Sequence, residues 1–211
     1  MPLPYLPLPA GLPEALGGTT ADLQRLFGPP LREYSQQVRD RQWPLEAKVV
    51  NDSVWKTVRL DPWEVIVLDS PVMQRLRNIR QLGLAHLVFP GAGYSRFEHS
   101  IGALHQSQRM VESMNRNARA AHRTIIPVRP SDEILLRLAA LLHDIGHGFM
   151  SHVSERAMTS IVRLPGEIPA RQMLKEARAY FGTRPALAEV LAGLIVRLPE
   201  FVELLRVADI P

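Results

Sequence analysis

Apolar residues along this chain recur mostly at helical spacing, interrupted by connections rich in proline and glycine. After Ser70, the positions Met73, Leu76, Ile79 and Leu82 fall three apart, with Arg75, Arg77 and Arg80 between them. That spacing predicts a helix. Asp69 or Ser70 would cap it and Pro71 would open it, where a missing N–H costs little. A glycine-rich loop, FPGAGYSRFEH, follows. A second helix is then predicted from about His99 to Arg119, with Ile101, Leu104, Val111 and Met114 on its apolar face. Beyond HRTIIPVRPSD, Ser131 is expected to cap DEILLRLAALLHD, whose early acids suit a helix N-terminus. Gly146 and Gly148 would end or bend that helix. SHVSERAMTSIV reads as a short helix, ARQMLKEARAYF as an amphipathic one that Gly182 stops, and PALAEVLAGLIVRL and PEFVELLRVA as two more.

Two stretches depart from this rhythm. EAKVVNDSVWKTVRLDPWEVIVLDS is rich in β-branched and aromatic residues around an NDS turn signal, which predicts a small hairpin or strand pair. Residues 1–18 carry Pro2, Pro4, Pro7, Pro9 and Pro13. Proline fixes φ and removes donors, so an extended arm is expected there. The chain divides on this reading into a proline-rich arm and leader, 1–45, and an all-α bundle with a minor β-hairpin, 46–211. No internal repeat is visible.

Composition narrows the class. The chain has 211 residues, 46% of them hydrophobic, enough for one substantial core. It has no cysteine, which excludes disulfides, zinc ribbons and thiol chemistry. The N-terminus lacks a signal-peptide pattern and no apolar run reaches membrane-spanning length, so a cytoplasmic location without membrane contact is expected. The net charge of +4, from 25 Lys+Arg against 21 Asp+Glu, suits phosphate-bearing ligands or simply an arginine-rich surface.

The unusual chemistry lies in LLHDIGHGFMSH, Leu141 to His152, which holds three of the chain's seven histidines and one aspartate. Each buried polar group needs its own partner. A hydrogen-bonded core accounts for one such histidine more easily than for three beside a carboxylate. His143 and His147 are four apart and share a face if the helix persists through Gly146; Asp144 points about 100° away on a regular helix. A metal over the last turn could engage His143 and Asp144, and a second helix must then bring another ligand, for which His99 is the candidate. Imidazole and carboxylate without thiolate suit Mn, Fe, Co, Ni or Zn better than Ca.

The string DSPVMQRLRNIRQLGLAHLVFPGAGYSRFEHSIG followed by LLHDIGHGFMSH resembles the HD-domain metal-dependent phosphohydrolases. More narrowly it resembles the deoxynucleoside triphosphate triphosphohydrolases, the group of bacterial dGTPases and the SAM-and-HD-domain enzyme. The resemblance runs from about Val49 to Glu155. It implies a divalent metal (Mn, Fe, Mg, Co, Ni or Zn) held by His99, His143 and Asp144. It implies that His147 and His152 face the substrate phosphates, that Arg96 contacts the α-phosphate region, and that Gln81 and Leu82 lie against the sugar and leave no room for a ribose 2′-hydroxyl. The implied partners are a nucleotide substrate and further copies of the chain. The implied reaction is hydrolysis at the α-phosphorus, giving deoxynucleoside and triphosphate.

The pattern is incomplete. The family's Thr-His-Glu segment is missing, since no histidine follows His152, and Asp209 is the only aspartate after Asp144. Asp209, in VADIP, lacks the context of the family's last carboxylate ligand. The chain therefore reads as an N-terminal piece of a longer enzyme or, in a different class, as a degenerate HD domain that binds nucleotide or single-stranded nucleic acid without turnover. If the metal reading holds, His99, His143 and Asp144 converge on one ion position; ring nitrogens more than about 8 Å apart could not share an ion. Arg75, Arg77 and Arg80 are expected on a solvated face or a subunit contact, with a phosphate-facing patch as the sharper alternative. Trp43, Trp55 and Trp63 are expected as core or interface anchors.

Overall fold

The computed structural model describes residues 12–41, 46–120, 127–148, 155–157, 170–182 and 184–210. The chain is helical apart from one antiparallel hairpin, as expected. Helix α1 spans Glu14–Asp40, strands β1 and β2 span Lys48–Asp52 and Lys56–Leu60, and α2 and α3 span Pro62–Asp69 and Pro71–Gln74. Short 3₁₀ turns then lead to α4 (Arg96–Ala120), α5 (Pro130–Leu142), α6 (Ala170–Phe181), α7 (Leu187–Ile195) and α8 (Pro199–Val207). No helix among the described residues is long and apolar enough to cross a membrane.

The extended arm expected over residues 1–18 is corrected where the structure describes it. Residues 14–18 open a 27-residue helix. Pro13 stands at its N-cap with non-helical backbone angles, and its carbonyl accepts the Gly17 N–H at 2.8 Å. Ala15 and Leu16 are buried with Met173, Ala177, Leu187, Val190 and Leu194 of α6 and α7. Glu176 of α6 accepts the otherwise orphaned N–H groups of Ala15 (2.9 Å) and Leu16 (3.3 Å). Further along, Leu31, Tyr34 and Val38 join the main core. Their spacing of three and four is helical, and the apolar face carries the helix through Pro29 and Pro30, where each proline removes a backbone donor. Residues 1–11 of the expected arm lie outside the described residues, as do Trp43, His122 and His152.

The hairpin pairs Lys48 with Leu60 through Asp52 with Lys56. Its turn is closed by Asp52, whose carboxylate accepts the amides of Val54 (2.7 Å) and Trp55 (2.8 Å). Trp55 lies over α4 at Gly102, where an added Cβ would come within 2.8 Å of the indole nitrogen. The hairpin is the one expected around NDS; the rest of that β-branched stretch folds as α2. Asp61-Pro62 starts the helix, and Glu64, three residues after Asp61, reaches back to the Asp61 amide at 2.8 Å. Trp63 through Leu68 are all buried. A short apolar run with no polar face carries no period to separate strand from helix, so its capping residues and surroundings decide.

Ser70 and Pro71 open α3 as expected, but the helix stops after Gln74 and tightens into a 3₁₀ turn, Arg75–Asn78. Met73, Leu76 and Ile79 are buried while Leu82 is half exposed, so the apolar register ends with Ile79. Helix α5 starts at Pro130 rather than after Ser131; Arg129 precedes it and grips Asp132 with two hydrogen bonds. Of the helix expected over SHVSERAMTSIV, residues 155–157 are helical and the remainder lies outside the described residues. Helix α5 lies along α4, and α1 lies along α8. A buried ion pair, Arg137 of α5 with both oxygens of Glu64 at 2.7 and 2.6 Å, ties α5 to α2.

Candidate metal centre

Two backbone features bring the chemistry together. Before α4, the chain laces antiparallel to the segment after the 3₁₀ turn: Arg96 N–H donates to Ile79 O at 2.8 Å and Gln81 N–H to Tyr94 O at 3.1 Å. Ser95 and Glu98 then cap α4 reciprocally. Glu98 accepts from the Ser95 amide (2.5 Å) and hydroxyl (2.7 Å), and the Ser95 hydroxyl accepts from Glu98 N–H (3.2 Å). This starts the helix at Arg96, earlier than expected, and puts His99 in its first turns rather than at a loop end.

The second feature is the end of α5. The helix stops at Leu142 and does not persist through Gly146; residues 143–146 form successive tight turns, with Ile145 N–H on Leu142 O and His147 N–H on Asp144 O, both 3.1 Å. The backbone of α7 presses against this turn. A Cβ on Gly146 would fall 1.9 Å from Ala188 O and 2.4 Å from Ala192 N, so only glycine fits. On the turn's carbonyls, Arg75 donates to His147 O at 2.7 Å and also to Ile145 O. The solvated or subunit-facing position expected for Arg75 is thereby corrected. Arg77 lies over the Phe97 ring at 3.8 Å, and Arg80 donates to Gly93 O.

His99, His143 and Asp144 converge as expected, with one ligand atom from each lying within 4.8 Å of the others. The imidazoles of His99 and His143 meet edge to face with centroids 5.2 Å apart. His143 Nδ1 lies 2.8 Å from Ala140 O. A carbonyl only accepts, so Nδ1 carries a proton, and Nε2 lies 3.4 Å from Asp144 Oδ1. Burial holds the His99 pKa below its ordinary value; His143 and Arg96 push the same way, and Asp144 opposes them. A neutral imidazole is the form that binds a metal. Two imidazoles and a carboxylate at this separation fit a divalent transition ion. Asp209 is exposed after α8 and stands outside the group.

Arg96 is almost fully buried, and its Nη1 lies 2.7 Å from Asp144 Oδ2. It thus touches the aspartate directly, and its Nη2 reaches Gln81 O at 3.5 Å. Gln81 is half-buried and Leu82 exposed beside it. His147 stands next to the three-residue group, with Nε2 3.4 Å from Asp144 Oδ1 and Nδ1 2.7 Å from Glu155. Glu155 was not legible as a partner of His147, because α5 ends at Leu142 and a spacing of residues has no facial meaning outside a regular element. The Ser95-to-Glu98 cap did have one, a serine three residues before a glutamate.

The bundle joins a histidine from one helix to a His-Asp pair at the end of the next. Residues 96–195, just under half of the chain, match the family model for the HD domain. Curated relatives align over about half of the chain. An uncharacterised protein of Methanocaldococcus jannaschii is 42% identical over 108 residues, 51% of this chain and 21% of its own length. The deoxynucleoside triphosphate triphosphohydrolase SAMHD1 of Danio rerio is 39% identical over 106 residues, and that of Homo sapiens 34% over 116, covering 16% and 18% of those proteins. The aligned part is thus about a fifth of each relative's length or less.

Proposed function

We propose that this chain belongs to a metal-dependent phosphohydrolase that cleaves deoxynucleoside triphosphates into deoxynucleoside and triphosphate. The observation that carries the reading is the convergence of His99, His143 and Asp144 on one side of a half-buried Gln81, with Arg96 joining the two. The identity to two triphosphohydrolases over this stretch supports the substrate class. A bound divalent ion would polarise a phosphoryl oxygen and acidify water.

The protein's own groups supply the rest. Arg96 orients Asp144 and places a buried positive charge where the α-phosphate would lie. His147, oriented by Glu155, and His152 serve the phosphates and the proton bound for the leaving 5′-oxygen. Overall, water oxygen bonds to the α-phosphorus, the bond from phosphorus to the 5′-oxygen breaks, and that oxygen takes a proton. Gln81 and Leu82 would seat the deoxyribose, since packing close to the 2′ position penalises a ribonucleotide. Self-association also belongs to this reading. Leu87, Val88 and Phe89, following directly on that segment, are exposed by 73%, 73% and 65%, an apolar run suited to contact with another copy.

The test is incubation of the chain with each dNTP and Mn²⁺ or Mg²⁺, with products separated by ion exchange. Triphosphate and deoxynucleoside in equal amounts are expected. Orthophosphate or pyrophosphate as product would overturn the cleavage site. Absence of turnover with any divalent metal, together with single-stranded nucleic-acid binding that weakens steeply with salt, would replace the enzyme by a binding module. Light scattering tests self-association.

A further inference from the structure

The turn that carries Asp144 and His147 is short, lies outside α5, and is closed by bonds of the i→i+3 kind. Such a turn does not fix its own side-chain directions well, because few of its backbone groups are internally paired. Its carbonyls also sit at the C-terminal end of a helix, where partial negative charge accumulates. Arg75 meets both needs. One guanidinium nitrogen donates to His147 O at 2.7 Å and another to Ile145 O. Phe27 of α1 covers its outer face, with the ring centroid 5.4 Å from Cζ. Burial pushes the Arg75 pKa down to about 10, which still leaves it charged at neutral pH.

A buried guanidinium ordinarily pairs with a carboxylate, because desolvating a lone charge is costly. Among the described residues Arg75 has no such partner; its bonds go to the two carbonyls that flank Gly146. The opposite side of Gly146 is closed by the backbone of α7. The turn is therefore clamped between a cationic fork and a helix at Gly146, between Asp144 and His147.

We propose that Arg75 is a positioning residue for the metal centre, fixing the 143–147 turn so that Asp144 and His147 face His99. The proposal rests on the metal-centre reading above. It requires the planar fork as well as the charge, so Arg75→Lys is expected to fail almost as fully as Arg75→Met. Glu176→Ala serves as the stability control, since it weakens the packing of α1 on α6 and does not touch the turn.

In the metal-free chain, hydrogen exchange at the Ile145 and His147 amides should accelerate at least tenfold in both Arg75 variants and stay unchanged in Glu176→Ala. Mn²⁺ affinity, followed by electron paramagnetic resonance, should weaken on the order of 10- to 100-fold in the Arg75 variants, as for other residues that orient metal ligands. A folded Arg75→Met or Arg75→Lys chain with wild-type exchange at those two amides overturns the proposal, and so does one with wild-type Mn²⁺ affinity. Failure of the wild-type chain itself to bind Mn²⁺ removes the metal-centre reading instead, and the exchange data still decide for or against the clamp.

Discussion

Replacing Gly146 by alanine adds one methyl group at the point where α7 meets the 143–147 turn. Ordinary van der Waals contact at a Cβ begins near 3.4 Å, and this one would lie 1.9 Å from Ala188 O and 2.4 Å from Ala192 N. The overlap is therefore about 1.5 Å with the carbonyl and about 1.0 Å with the amide. Both atoms belong to helix backbone, so no side-chain rotation relieves the clash. Either α7 moves away from the core, where Leu187, Val190 and Leu194 are buried, or the turn moves and carries Asp144 and His147 with it. Overpacking of this kind costs roughly 1–3 kcal/mol. For a domain of this size that corresponds to a melting temperature lower by about 2–12 °C. Differential scanning fluorimetry and Mn²⁺ titration of Gly146→Ala read the two routes separately. A stability loss with intact affinity means that α7 yielded; weakened affinity means that the turn yielded. A variant with wild-type melting temperature and wild-type affinity would refute the close approach of α7 and the rigidity assigned to this turn.

Asp144→Asn should abolish Mn²⁺ binding and also destabilise the metal-free chain by about 3–5 kcal/mol, because Arg96 loses a buried partner at 2.7 Å; chemical denaturation in chelator checks this, and an unchanged or raised stability would contradict it. Glu64→Gln should cost a similar ~3–5 kcal/mol by leaving Arg137 buried without its bidentate partner; a change in urea midpoint equivalent to less than about 0.5 kcal/mol, the range of surface substitutions, would show that the pair is inert. The Tyr34 hydroxyl donates to Ile66 O at 3.1 Å, and burial, reinforced by Asp69 and opposed by Arg41, raises its pKa from 10.0 to about 12. A pKa raised on folding gives stability that is complete below the unfolded value and is lost as pH rises from 10.0 through about 12. Relative to Tyr34→Phe, the wild-type chain should lose on the order of 2 kcal/mol across that window. A phenolate absorbance difference between the wild-type chain and Tyr34→Phe that already rises near pH 10 would refute it.

The sequence by itself determined most of the helices and the three candidate metal ligands. Long amphipathic segments such as those of α4 and α6 repeat their apolar face often enough to be read without neighbours. His99, His143 and Asp144 were legible because the chemistry of two imidazoles and a carboxylate is written in residue type, and type survives without coordinates. Tertiary structure alone decided three other things. The apolar run over α2 became helix because it is enclosed on all sides and because Glu64 serves both the helix start and Arg137. Helix α1 formed across two prolines because Leu31, Tyr34 and Val38 found a core to fill. Finally, Arg75 and the backbone of α7 act on the turn across long gaps of chain: 70 residues separate Arg75 from Ile145. A hydrogen bond to a backbone carbonyl, or a gap the width of one methyl group, depends on where two segments meet. Periodicity and composition describe each segment alone, so those contacts exist only once the bundle has closed.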